Sequence, residues 1–131
     1  MTFIIVDDNA TFRNGLKFYI EEVLNHKVIA TAETGDEFLS IPNIYEADIV
    51  LMDNAMPIIN GIDVSKIYLM YHPELKIIML TQQPELLTLK QLIESGILGC
   101  VDKKEIENQL ELAIKNVIEG KIFFSDELLI A

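Results

Sequence analysis

Asp7, Asp8, Asp53, Thr81 and Lys103 are the residues of this chain whose types could together do chemistry. Carboxylates gathered in one place repel, and each raises its neighbour's pKa. A divalent cation removes that repulsion. Mg²⁺ suits such a set, because it takes one or two carboxylates, keeps several waters and reserves positions for phosphate oxygens. A carboxylate beside such a metal can attack a phosphoryl group and hold it as an aspartyl phosphate. Phosphoryl transfer asks for little beyond positioning and neutralisation of charge on the equatorial oxygens. The cation and Lys103 would supply the charge, and Thr81 a hydrogen bond. Asp53 is assigned as the phosphoacceptor because it stands alone at the end of a central apolar run, and Asp7 and Asp8 as metal ligands.

Residues this far apart meet only if regular elements carry them to a common edge. Ile49, Val50, Leu51 and Met52 form an unbroken apolar run that Asp53 ends, and the turn residues Pro57, Asn60 and Gly61 follow. Such a run, bounded by turn signals, reads as a strand buried on both faces. A carboxylate at its C-terminal end sits where open α/β sheets bind ligands. Further strands are expected at Thr2–Val6, before Asp7 and Asp8, at Lys27–Ala32, at residues 76–80, before Thr81, and at residues 99–101, before Asp102 and Lys103. Taken singly each site residue has a plainer explanation: a turn aspartate, a β-branched strand threonine, a solvated lysine. It is their joint placement at strand ends that carries the reading.

Helical spacing fills the intervals. Phe12, Leu16, Tyr19, Ile20 and Val23 mark the core face of a first helix, with Asn9 as its N-cap and Glu21 and Glu22 outside. Thr34 caps a short helix through Leu39. Val64, Ile67, Tyr68 and Tyr71 mark a third, stopped by His72-Pro73. Pro84 opens a fourth, with Leu86, Leu89 and Ile93 as its buried side and Gly96 as its C-cap. Ile106, Leu110, Ala113, Ile114 and Val117 mark the last, which Gly120 ends. Strand and helix alternate five times, which predicts a parallel sheet covered on both sides, with right-handed connections and all strand C-termini on one rim.

At 131 residues, 50% of them hydrophobic, the chain is one domain with a proper core. Its net charge of −11 disfavours nucleic-acid binding through these residues. Cys100 is the only cysteine, so no intrachain disulfide or cysteine metal cluster forms, and a reducing cytoplasm is the expected compartment. No signal peptide or membrane-length apolar stretch is present, and His26 and His72 lack neighbouring ligands, so a metal site must be an oxygen site.

Val6-Asp7-Asp8-Asn9, Met52-Asp53-x-x-Met56-Pro57-x-x-Asn60-Gly61, Leu80-Thr81 and Gly96-x-x-Gly99-x-x-x-Lys103 resemble the receiver domain of bacterial two-component response regulators. The likeness covers nearly the whole chain. It implies a flavodoxin-like, doubly wound five-stranded parallel sheet in order 2-1-3-4-5, with residues 1–120 as receiver and 121–131 as a tail or the start of a linker. It also implies Mg²⁺-dependent phosphoryl transfer from a sensor histidine kinase to Asp53, with the main-chain carbonyl of Ala55 completing the metal site. The chain is then no enzyme beyond its own phosphorylation and hydrolysis. Homodimerisation on phosphorylation is the implied response. Gly96, Gly99 and residues 119–125 resemble the NarL/LuxR class, in which a helix-turn-helix DNA-binding domain follows. Transcriptional regulation would then run through a domain outside these residues, without nucleic-acid or membrane contact of their own.

Three positions depart from that pattern. Gln82 stands where the family has a small residue and can crowd the phosphoryl site. Cys100 stands where an aromatic switch partner of Thr81 is usual, and Lys104 follows Lys103 where proline is common. Gln82 and Cys100 lend some support to a rival reading, a docking module that works without phosphorylation. A dehalogenase-type phosphatase would need a second acid two residues after Asp7, where Asn9 stands. A flavin binder would need a glycine- and hydroxyl-rich loop in place of Asp7 and Asp8.

Overall fold

The computed structural model describes residues 1–125. The elements, in order, are β1 (Thr2–Val6), α1 (Ala10–Phe18), β2 (Lys27–Ala32), α2 (Gly35–Leu39), β3 (Ile49–Asp53), α3 (Gly61–Tyr71), β4 (Ile77–Thr81), α4 (Leu89–Ser95), β5 (Gly99–Asp102), α5 (Ile106–Ile118) and β6 (Phe123–Phe124). The strands form one sheet in the order β2-β1-β3-β4-β5-β6, and every neighbouring pair is parallel. The first five follow the order 2-1-3-4-5.

Every residue of β3 and β4 is buried, as their unbroken apolar runs require of strands covered on both faces. Alternate side chains go to opposite layers. Ile4, Val6, Val50, Met52, Ile77 and Met79 pack with Phe38, Val64, Tyr68 and Leu92 from α2, α3 and α4. Phe3, Ile5, Leu51, Ile78 and Leu80 pack with Leu16, Ile20, Leu110, Ala113, Ile114 and Val117 from α1, the turn after it and α5. Each fully buried aliphatic side chain is worth about 1.5–3 kcal/mol, so both layers tie the sheet firmly to its helices. With the sheet clamped from both sides, the strand ends form a rigid rim.

Helix starts follow their caps. The side chains of Asn9, Thr34 and Asn60 accept from the backbone N–H groups of Phe12, Glu37 and Asp63. Gly96 and Gly120 close α4 and α5 in the left-handed region, at φ 84° and 81°.

Four local expectations change. After Phe18 the first helix widens into a π-turn over Tyr19–Val23, with Leu24 N–H donating to the Tyr19 carbonyl. The wider turn rotates the end of the helix, so Val23 faces solvent and Glu21 folds back to accept from Val28 N–H. Pro84 opens only a 3₁₀ turn, Pro84–Leu86; the fourth helix begins at Leu89, capped by Thr88 and Gln91 in a reciprocal capping box. Leu86 and Ile93 are therefore exposed, and Leu92 and Ser95 are buried. On α3, Tyr68 and Val64 are buried, but Ile67 and Tyr71 face outward because Ile62 and Ser65 share the core face. Finally, Phe123 and Phe124 pair with Gly99 and Cys100, adding a sixth strand to the five expected. Two residues are too few to show strand periodicity, yet they cover an edge that β5 would otherwise leave open. A further helix capped by Ser125 would lie outside the described residues.

Candidate functional site

Parallel pairing puts the C-termini of β1, β3, β4 and β5 on one rim. Asp7 and Asp8 follow β1, Asp53 ends β3, Thr81 ends β4, and Lys103 follows β5. Asp53 lies in register with Leu80, and Thr81 with Asp102. There the chain encloses a cavity of about 470 Å³, lined by Asp7, Asp8, Asp53, Ala55, Thr81 and Lys103 among others. Asp7, Asp8 and Asp53 each offer a carboxylate oxygen, and the three lie within 4.8 Å of one another. Asp7 and Asp53 are buried, Asp8 exposed.

Lys103 ties this cluster together. Its ammonium sits 2.7 Å from Asp7 Oδ2 and 3.1 Å from Asp53 Oδ1. It also lies 4.2 Å from the centroid of the Phe12 ring, which shields it from water on that side. The carboxylate of Asp53 nevertheless ionises reluctantly: its pKa is raised to about 6. Burial is the largest cause, with Asp7 and Asp8 adding repulsion and Lys103 opposing both.

The backbone around the acids is held in place. Asp7 Oδ1 accepts from Asn9 N–H at 2.8 Å, and the Asp7 carbonyl accepts from Arg13 Nη1 at 2.7 Å. Arg13 is anchored in turn by Glu33 at 3.2 Å. Beyond Asp53, the Asn54 carbonyl accepts from Met56 and Gly61, and Asn54 Oδ1 accepts from Ile62 N–H. Gly61 returns so close to β3 that a Cβ there would collide with the Asp53 carbonyl oxygen. Thr81 Oγ1 accepts from Gln83 N–H at 3.1 Å, which leaves its own hydrogen to donate elsewhere.

The rim thus gathers every site residue named from the sequence except Cys100. That side chain is wholly buried in the apolar layer under α3 and α4, apart from the cavity lining. Gln82 does line the cavity, on its exposed side. Arg13, Phe12 and Asn54 were not anticipated. Only Asn54 carried a signal, as a polar residue directly after a strand-end acid; the other two look like ordinary positions on a first helix.

Residues 3–115 match the family model for the response regulator receiver domain. The chain belongs to that family. Among curated relatives, this receiver domain is 32% identical over 125 residues to the transcriptional regulatory protein LnrK of Bacillus subtilis (strain 168), covering 95% of this chain and 57% of that one. Among solved structures it is similar to a LuxR-family two-component response regulator from Aurantimonas sp. SI85-9A1, with TM-score 0.86, 25% identity, and coverage of 97% and 91% of the two chains. It is also similar to the isolated receiver domain of RcsB from Salmonella enterica serovar Typhimurium, solved with the phosphomimetic BeF3−, at TM-score 0.81, 25% identity, and coverage of 98% and 95%. The receiver spans about half the length of the curated relatives it matches. No helix among its described residues is long and apolar enough to cross a membrane.

Proposed function

We propose that this receiver domain accepts a phosphoryl group on Asp53 from a sensor histidine kinase and passes the change to a partner surface or an output domain. The observation that carries the reading is the contact of one largely buried lysine with two buried strand-end acids, Asp7 and Asp53, beside a third, Asp8. A structural ion pair would need one acid. Three acids and one lysine leave negative charge in excess, and that excess fits a divalent cation. Asp7, Asp8 and Asp53, with the Ala55 carbonyl, would hold Mg²⁺. When bound, the ion neutralises charge on the phosphoryl oxygens.

The chain's own groups do the rest. Asp53 attacks phosphorus through a carboxylate oxygen, so that an O–P bond forms as the P–N bond of a phosphohistidine breaks. The electron pair returns to the imidazole nitrogen. Lys103 stands at Asp53 Oδ1 and can follow the charge onto the new phosphoryl group. Thr81 lines the same cavity and can donate its hydroxyl hydrogen. The product carries roughly two negative charges at a buried position, about one more than the ionised carboxylate it replaces. Movement of Thr81 and Lys103 toward them would shift a two-state equilibrium at the β4–β5 surface, giving dimerisation or control of a DNA-binding output domain. Since Cys100 has no ring to swing, that coupling would run through backbone and packing shifts around β4 and β5.

Incubation with acetyl phosphate and Mg²⁺, read by intact mass, tests the reading. The wild type gains one phosphoryl group, and chelation of the metal abolishes the gain. An unmodified wild-type mass under these conditions would support the docking module that needs no phosphorylation.

A further inference from the structure

Two described non-glycine residues have positive φ, Asn25 at 60° and Ile58 at 72°. Asparagine tolerates that region; a β-branched side chain does not. Ile58 is the centre of a three-residue turn, closed by Ile59 N–H donating to the Pro57 carbonyl at 2.8 Å. Turns of this kind with positive φ are rare and strained. The neighbouring side chains of Met56 and Ile59 turn inward to the core, while Ile58 is 96% exposed. The fold gains nothing from an isoleucine here: glycine would meet the same φ without strain, and the side chain packs on nothing. Strain held at an exposed apolar residue points outward, to something that covers it.

We infer that Ile58 is an apolar anchor, and a specificity determinant, for the protein that brings a phosphohistidine to Asp53. The inference rests on the phosphoacceptor reading above. Reach supports this occupant. Gly61 abuts the Asp53 carbonyl, and Ile58 is three residues away, so at most about 11 Å separates their Cα atoms at 3.80 Å per step. A protein docking over Asp53 covers roughly 800 Å² of this domain, equivalent to a disc of radius about 16 Å. A partner that delivers a histidine to Asp53 with its footprint extending over the loop from β3 to α3 therefore covers Ile58. A fully exposed sec-butyl group inside such a footprint, on a backbone turn that is already closed, can fill a pocket on the partner.

The test compares a protein donor with a small one. Cytoplasmic portions of sensor histidine kinases are autophosphorylated with ATP, and the one that labels the wild-type chain fastest serves as probe. Ile58→Gly and Ile58→Asn both suit the positive φ, so neither disturbs folding. Each is expected to lower kcat/KM for transfer from the kinase about tenfold, as loss of an anchor does. Labelling by acetyl phosphate should stay at the wild-type rate. Ile58→Met, which keeps an apolar group, should retain most of the kinase reaction. Wild-type transfer rates in the Gly and Asn variants would overturn the inference. So would equal losses with both donors, or a wild type labelled by acetyl phosphate but by no kinase. Failure of the wild type to take label from acetyl phosphate would instead bring down the phosphoacceptor reading, and this inference with it.

Discussion

Asp53 is held against its own ionisation. Its folded pKa is raised from 3.8 to about 6, so the folded state holds the proton more tightly than the unfolded chain does. The stabilisation from that proton is full below the unfolded pKa and is lost as pH rises through the folded one. A rise from 3.8 to about 6 caps the effect at about 3 kcal/mol. Asp53→Asn removes the buried charge while keeping shape. In metal-free buffer it should gain about 1–3 kcal/mol at pH 7.5 and almost nothing near pH 4, by urea denaturation. Equal gains at both pH values would show that the charge is not the cause. Added Mg²⁺ should narrow the difference at neutral pH by stabilising the wild type alone. Residue types at strand ends made these acids visible in the sequence. Lys103 was legible as a rim residue as well, but nothing local to it says that it reaches both Asp7 and Asp53.

Elements decide how tightly the rim is built. The loop from β3 to α3 turns back so sharply that Gly61 lies against the Asp53 carbonyl. Gly61→Ala would force that backbone apart, and the expected cost is about 2 kcal/mol or more in stability, with slowed labelling by acetyl phosphate, because the acceptor strand itself shifts. A variant as stable and as reactive as the wild type would mean that the close approach is not required. Sheet and helices were legible because β3 and β4 are continuous apolar runs and Asn9, Thr34 and Asn60 are strong caps. The start of α4 was misread because Pro84 is a credible helix opener. Its competitor, Thr88 with Gln91, was equally present in the sequence and won by satisfying two backbone donors at once. The π-turn after α1 left no comparable mark, so the outward rotation of Val23 could not be foreseen.

As a whole molecule the receiver is a sheet clamped between two helical layers, with its chemistry on one edge. Such a body can signal only by changing a face that something else touches. If phosphorylation drives self-association, beryllofluoride with Mg²⁺ should move the chain to a dimer in sizing measurements, and Asp53→Asn should stay monomeric. Identical profiles with and without beryllofluoride would leave the output to another partner or domain.

The most direct measurement is the location of the phosphoryl group. The chain is labelled with acetyl phosphate and Mg²⁺, cleaved under conditions that spare acyl phosphates, and the modified residue is read by fragmentation of its peptides. The account predicts the label on Asp53, with none on Asp7 or Asp8 and none at all in Asp53→Asn. Label on another residue, or undiminished label in that variant, would contradict it.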